Sequence, residues 1–136
     1  MGFLSSLFGW GQGGQRFVSE SAFKENLANQ TAMSPQTLEQ LRSLNVTDST
    51  QLKLEFFFYT DTKEKAAQLS QALKDLGYSV EHGPSEGNKD VLVITGWTTK
   101  MPMTESTVVA WTRKMCQVGF ENDCEFDGWG TDPEQD

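Results

Sequence analysis

One histidine and two cysteines are all the imidazole and thiol this sequence holds, and that scarcity removes whole classes of chemistry. A structural zinc site needs four such ligands, which His82, Cys116 and Cys124 cannot supply. In a chain long enough to build its own core, two thiols do not amount to a disulfide scaffold either, and they fit a reducing compartment. His82 lies in Glu81-His82-Gly83-Pro84 with no Ser or Cys nucleophile that the sequence brings near it, so it reads as a surface or loop-edge residue. Basic residues are also short. Nineteen acids stand against eleven Lys and Arg, and the net charge of −8 repels phosphate backbones. No glycine-rich loop opens a helix with a Lys-Ser or Lys-Thr pair, so the parts for phosphate binding are missing. No run is apolar enough to span a bilayer, and the first residues lack the basic leader and small-residue cleavage site of a secretory signal. The expectation is a cytoplasmic protein without cofactor, metal or catalytic residues.

What is present is acid, unevenly placed. From Glu121 to Asp136 there are seven carboxylates (Glu121, Asp123, Glu125, Asp127, Asp132, Glu134 and Asp136) and no Lys or Arg, so the rest of the chain is nearly neutral. Such an end can simply keep a protein soluble, or it can dock a basic partner, since clustered charge speeds association and penalises acidic competitors.

Residues 1–16 combine an apolar stretch (Phe3, Leu4, Leu7, Phe8, Trp10) with glycines at 9, 11, 13 and 14. They read as a tether with at most a weak contact to a membrane surface or a partner. Two helices are expected over 17–48. Ser19 caps one carrying Phe23 and Leu27; Ser34 and Pro35 open another carrying Leu38, Leu41 and Leu44, with Asn45 as its stop.

From Gln51 the period changes to two, with Leu52, Leu54, Phe56 and Phe58 on one side and Phe57 and Tyr59 on the other. Asp61 and Glu64 form a capping box, Ala66, Leu69, Leu73 and Leu76 a helical stripe, and Gly77 a left-handed stop. A short strand through Tyr78, Val80 and His82, a turn, a buried strand Val91–Trp97, a helix from Thr104 to Gly119 and a last strand over Asn122–Asp127 complete the order. That order is β-α-β-β-α-β, which predicts an α+β, ferredoxin-like antiparallel sheet over 49–132 with both helices on one face, followed by an acidic tail at 133–136. The side bearing Phe57 and Tyr59 would be bare unless residues 17–45 cover part of it. Modules of this order can stack bases on such aromatics, but the strand Asp90–Gly96 lacks the basic and aromatic pattern that RNA contact requires.

Glu125-Phe126-Asp127-Gly128-Trp129-Gly130-Thr131 is the most unusual string. Two glycines let the backbone turn sharply around the indole, which then serves as a latch on the core or as an exposed anchor ringed by acids. Three stretches together, Leu54–Tyr78 (LEFFFYTDTKEKAAQLSQALKDLGY), Val91–Gly96 and Glu125–Thr131, resemble the RraB-type regulators of ribonuclease activity, inhibitors of ribonuclease E. The resemblance covers roughly 34–132. It implies a non-catalytic, cytosolic protein that binds the ribonuclease itself, without direct contact to nucleic acid. On this reading the binding residues are Asp123, Glu125, Asp127, Trp129, Asp132 and Glu134, facing a basic region of the partner. An immunity-type inhibitor of a basic toxin or nuclease is the alternative.

Overall fold

The computed structural model describes residues 16–88 and 90–135, so the tether and apolar stretch expected at its start, except Arg16, lie outside the described residues, as does Asp136. Helix α1 runs Glu20–Arg42, and the Ser19 hydroxyl caps it by accepting the Ala22 N–H at 3.1 Å. The two expected helices are one. Pro35 sits inside it, although a mid-helix proline removes a hydrogen bond and costs about 3 kcal/mol. The compensation is a stripe that keeps helical spacing through the proline: Phe23, Leu27, Gln30, Ser34, Leu38 and Leu41 are all buried or half-buried, and α1 lies along α3. Leu44 falls beyond the helix end and is 58% exposed instead of sharing the apolar side. Asn45 takes a φ of 71° and closes the turn as expected.

The period-two segment is split. Strand β1 is only Gln51–Leu52, and it pairs antiparallel with β5, Met101–Pro102, in a small ladder the sequence did not announce. Strand β2 is Glu55–Thr60, with Phe56, Phe58 and Thr60 wholly buried and Glu55, Phe57 and Tyr59 half-buried. Helix α2, Lys63–Lys74, is capped by Thr62, whose hydroxyl accepts the Lys65 N–H. Asp61 does not cap it as expected; its carboxylate takes the Lys65 ammonium at 2.8 Å. Gly77 ends the turn at φ 89°. Then follow β3 (Ser79–Pro84), β4 (Leu92–Trp97), α3 (Glu105–Glu121, capped by Thr104) and β6 (Glu125–Gly130).

Four strands form one antiparallel sheet in the order β3-β4-β2-β6. On one side Phe56, Phe58, Ile94 and Phe126 meet Leu69 and Leu73 of α2 and Val108 and Met115 of α3 in a single core. Gly96 and Gly119 permit this closeness: a Cβ at Gly96 would run into the Ser79 carbonyl and the Phe56 ring, and one at Gly119 into the Phe58 ring. Helix α1 packs on α3 and borders the β6 edge. Of the expected cover over Phe57 and Tyr59, α1 supplies a part at the β6 edge, where Gln30 and Met33 share a hollow with Phe57.

Candidate functional site

The acidic C-terminal segment begins where α3 stops. The Gly119 carbonyl accepts both the Asn122 and the Cys124 N–H, at 3.0 and 2.8 Å, and Asp123 between them turns left-handed at φ 56°. That turn sends Asp123 inward, so it does not share a strand face with Glu125 and Asp127. Its carboxylate accepts the N–H groups of Phe17 and Val18, each at 2.8 Å, and lies 2.7 Å from the Lys65 ammonium and 3.4 Å from Arg16. Only 8% of the residue is exposed. Burial alone pulls the Lys65 pKa down, but its bonds to Asp123 and Asp61 outweigh that and raise it. Asp123 thus straps the residues before α1 to the start of β6, and its charge is spent inside the fold.

The last strand lies three residues later than expected, over Glu125–Gly130. Glu125 pairs with Tyr59 on the side away from α2 and α3, and its pKa is raised by burial and then by the neighbouring charge of Asp127. A bulge between Phe57 and Phe58 interrupts the register, leaving Asp127 exposed with a pKa raised by burial, and Gly128 takes φ 133°, where a side chain would be strained. Glu125 and Asp127 are therefore neighbours on the surface.

Trp129 is pulled the other way. It stands opposite Phe56 on the core side, its indole N–H donates to the Ser34 hydroxyl at 2.9 Å, and its ring meets Trp111 edge-on at 6.3 Å. Ser34 in turn bonds Thr112 at 2.6 Å. The indole ties β6 to α1 and α3, and its remaining edge lines a hollow of about 220 Å³ with Asp127, Phe57 and Met33. Asp132 and Glu134 are exposed and both border Ser43, Leu44 and Asn45 after α1; Asp132 also lines a hollow with Lys53, Ser79 and Trp97, and Gln135 folds back on Lys53. Of the six sequence-chosen residues, the structure brings together Glu125, Asp127 and the edge of Trp129.

The side of the sheet that faces away from α2 and α3 carries more acid than β6 alone supplies. Glu55 and Trp97 are cross-strand partners there, as are Glu81 and Thr95. These residues, with Ser79, border a second hollow of about 220 Å³. Sequence reading missed them because they are spread over three strands; the signal available was the shared alternation of β2, β3 and β4. Cys116 and Cys124 are buried, and burial pushes both thiols up to about 11, so neither is poised as a nucleophile. Among the described residues no three His, Cys, Asp or Glu side chains converge as metal ligands, and no helix is long and apolar enough to cross a membrane.

No curated protein matches the chain at a significant level. A family model does match: the one described as regulator of ribonuclease activity B, over residues 31–131, which spans most of α1 and every strand. The chain belongs to the RraB family, the regulators of ribonuclease activity B.

Proposed function

We propose that this protein is a non-catalytic, cytoplasmic inhibitor that binds a ribonuclease of the ribonuclease E type through a basic region and so slows RNA decay. Membership of a family of ribonuclease regulators supports the target class. The observation that carries the protein-binding part is the pair Glu125 and Asp127: two carboxylates held side by side on an edge strand, both with pKa values raised rather than relieved by a cation. Carboxylates left in that state gain when a partner's Lys or Arg arrives. The strand order β3-β4-β2-β6, with α2 and α3 on one side, supports reading the sheet as ferredoxin-like.

The test is an RNA cleavage assay with purified full-length ribonuclease E at about 50 and about 300 mM salt. The protein slows cleavage at low salt, loses that effect as salt screens exposed charge, and loses it also in the double variant Glu125→Gln, Asp127→Asn. Unchanged cleavage at every ratio of the two proteins would remove the ribonuclease from the proposal, and a toxin nuclease inhibited in its place would establish the immunity reading.

A further inference from the structure

The sheet face away from the helices has a composition of its own. Phe57, Tyr59 and Trp97 stand on it, each half-exposed, and Trp97 lies opposite Glu55, Phe57 opposite Thr95 and Tyr59 opposite Glu125. None of strands β2, β3, β4 and β6 contains a Lys or Arg. Glu55, Glu81 and Glu125 thus sit among three aromatic rings with no cation from the strands to pair them; Lys53 stands at the corner beyond Trp97, beside Asp132. The face is also sterically open. A Cβ added at Gly83 or at Gly130, the two glycines on its rim, would meet nothing within 4 Å. Between Glu55, Glu81, Thr95 and Trp97 is the hollow of about 220 Å³, and the Thr95 hydroxyl in it is shut off from solvent without a hydrogen-bond partner.

Charge complementarity decides what this face can take. Phosphate is repelled by its carboxylates, and a second copy would set like charges against like across the contact. A guanidinium suits what is present: its plane stacks on an indole while its N–H fork pairs with carboxylates. An ammonium has neither the plane nor the fork. We infer that this face is the surface on which the basic partner docks, and that an arginine of the partner fills the hollow between Glu55, Glu81, Thr95 and Trp97. The inference rests on the protein-binding reading above and gives it a location on the sheet face, bordered at one corner by Asp132 and apart from Glu134.

The probe is a fluorescein-labelled 15-residue peptide with arginines spaced by small apolar residues, compared by anisotropy with the same peptide carrying lysines. The intact protein binds the arginine peptide at least fivefold more tightly than the lysine peptide at 50 mM salt. Glu55→Gln with Glu81→Gln weakens arginine-peptide binding at least tenfold, and so does Gly83→Arg, which puts a cation on the face where a side chain meets open space. Glu134→Gln, at the far end of the C-terminal segment, leaves binding within twofold. Thermal midpoints of all variants are recorded alongside, and the Gly83→Arg and Glu→Gln proteins melt as the parent does. Equal affinity for the two peptides, or binding untouched by Glu55→Gln with Glu81→Gln and by Gly83→Arg, would overturn the inference. Inhibition of ribonuclease E separates the two readings: inhibition retained by Gly83→Arg sinks the face and spares the regulator. Arginine-selective binding on the face without inhibition does the reverse.

Discussion

Removing the Asp123 carboxylate should be the most damaging single charge change in the protein, despite its position in a segment of surface acids. It is one of four buried residues after Met115 and Cys116 on the path from α3 into β6, with Gly119, Cys124 and Phe126. The carboxylate accepts two backbone N–H groups at 2.8 Å and the Lys65 ammonium at 2.7 Å. Charge-assisted hydrogen bonds contribute about 1.5–3 kcal/mol each, but three on one group are not additive, and breaking a buried pair by deleting one partner costs about 3–5 kcal/mol. Asp123→Ala also places a Cβ-bearing, non-polar residue at φ 56°, adding about 1 kcal/mol. The expected loss is about 4–5 kcal/mol, a large share of the roughly 5–15 kcal/mol typical of a domain. Asp123→Asn keeps an acceptor and suits the left-handed turn, so it should lose about 2 kcal/mol. Urea titration followed by tryptophan fluorescence measures both, and hydrogen exchange reports the mechanism: the Phe17 and Val18 amides lose protection in Asp123→Asn while those of β2 keep theirs. A double cycle with Lys65→Met should show coupling of about 1–3 kcal/mol. The raised Lys65 pKa fixes the pH sense: this contribution is whole below 10.5 and disappears as pH rises through the higher folded value. An Asp123→Ala protein with an unshifted midpoint, or unchanged exchange at Phe17 and Val18, would refute the strap.

Three further outcomes follow from the packing. Because burial holds both thiols near 11 against an ordinary 9.0, they stay protonated in the fold while the unfolded chain ionises; stability present below pH 9 should decline by about 2 kcal/mol per thiol towards pH 11, with Cys124→Ala reducing the slope, and a slope unaffected by that change would count against it. Trp129→Phe deletes the donor to Ser34 and should cost about 1–2 kcal/mol in urea titration, whereas a purely interfacial indole would leave stability alone and change only partner binding. Gly96→Ala should cost about 3 kcal/mol by forcing β4 away from the Ser79 carbonyl of β3, visible as lost hydrogen-exchange protection across β3; normal protection there would refute the close approach.

How far the fold could be read depended on whether local and tertiary forces agreed. From Glu55 onward the period of two, the helical stripes and Gly77 all point one way, and apart from β5 the α and β elements appear in the order the sequence implies. At Pro35 the forces disagree. A local rule places proline at the start of a helix, and a 23-residue helix wins because a stripe on both sides of the proline packs along α3. The β1–β5 ladder left no signal because two-residue strands have no period, and its pairing is fixed by contacts some fifty residues apart, Gln51 with Pro102 and Leu52 with Met101. At α2 two capping residues competed side by side, and Thr62 took the cap while Asp61 took Lys65.

The site was harder to read than the fold because burial depends on phase, and two single-residue events shift the phase of the acidic segment. Strict alternation would aim Asp123, Glu125 and Asp127 to one side. The left-handed turn at Asp123 sends the first inward to Lys65, and the bulge takes the third out of the ladder with β2 while leaving it beside Glu125 on the surface. Counting charge along the chain therefore overstates what the C-terminal segment offers and overlooks Glu55 and Glu81, which the sheet register carries to the same face from strands far apart in sequence. An anionic surface assembled this way has a further property: its carboxylates are spaced by strand geometry, Glu55 and Glu81 flanking β4 from either side, and are set among aromatic rings rather than on a free tail. A mobile acidic tail attracts any cation, but carboxylates fixed among rings favour the cation that is planar, and that difference is what turns general attraction into selection of arginine over lysine.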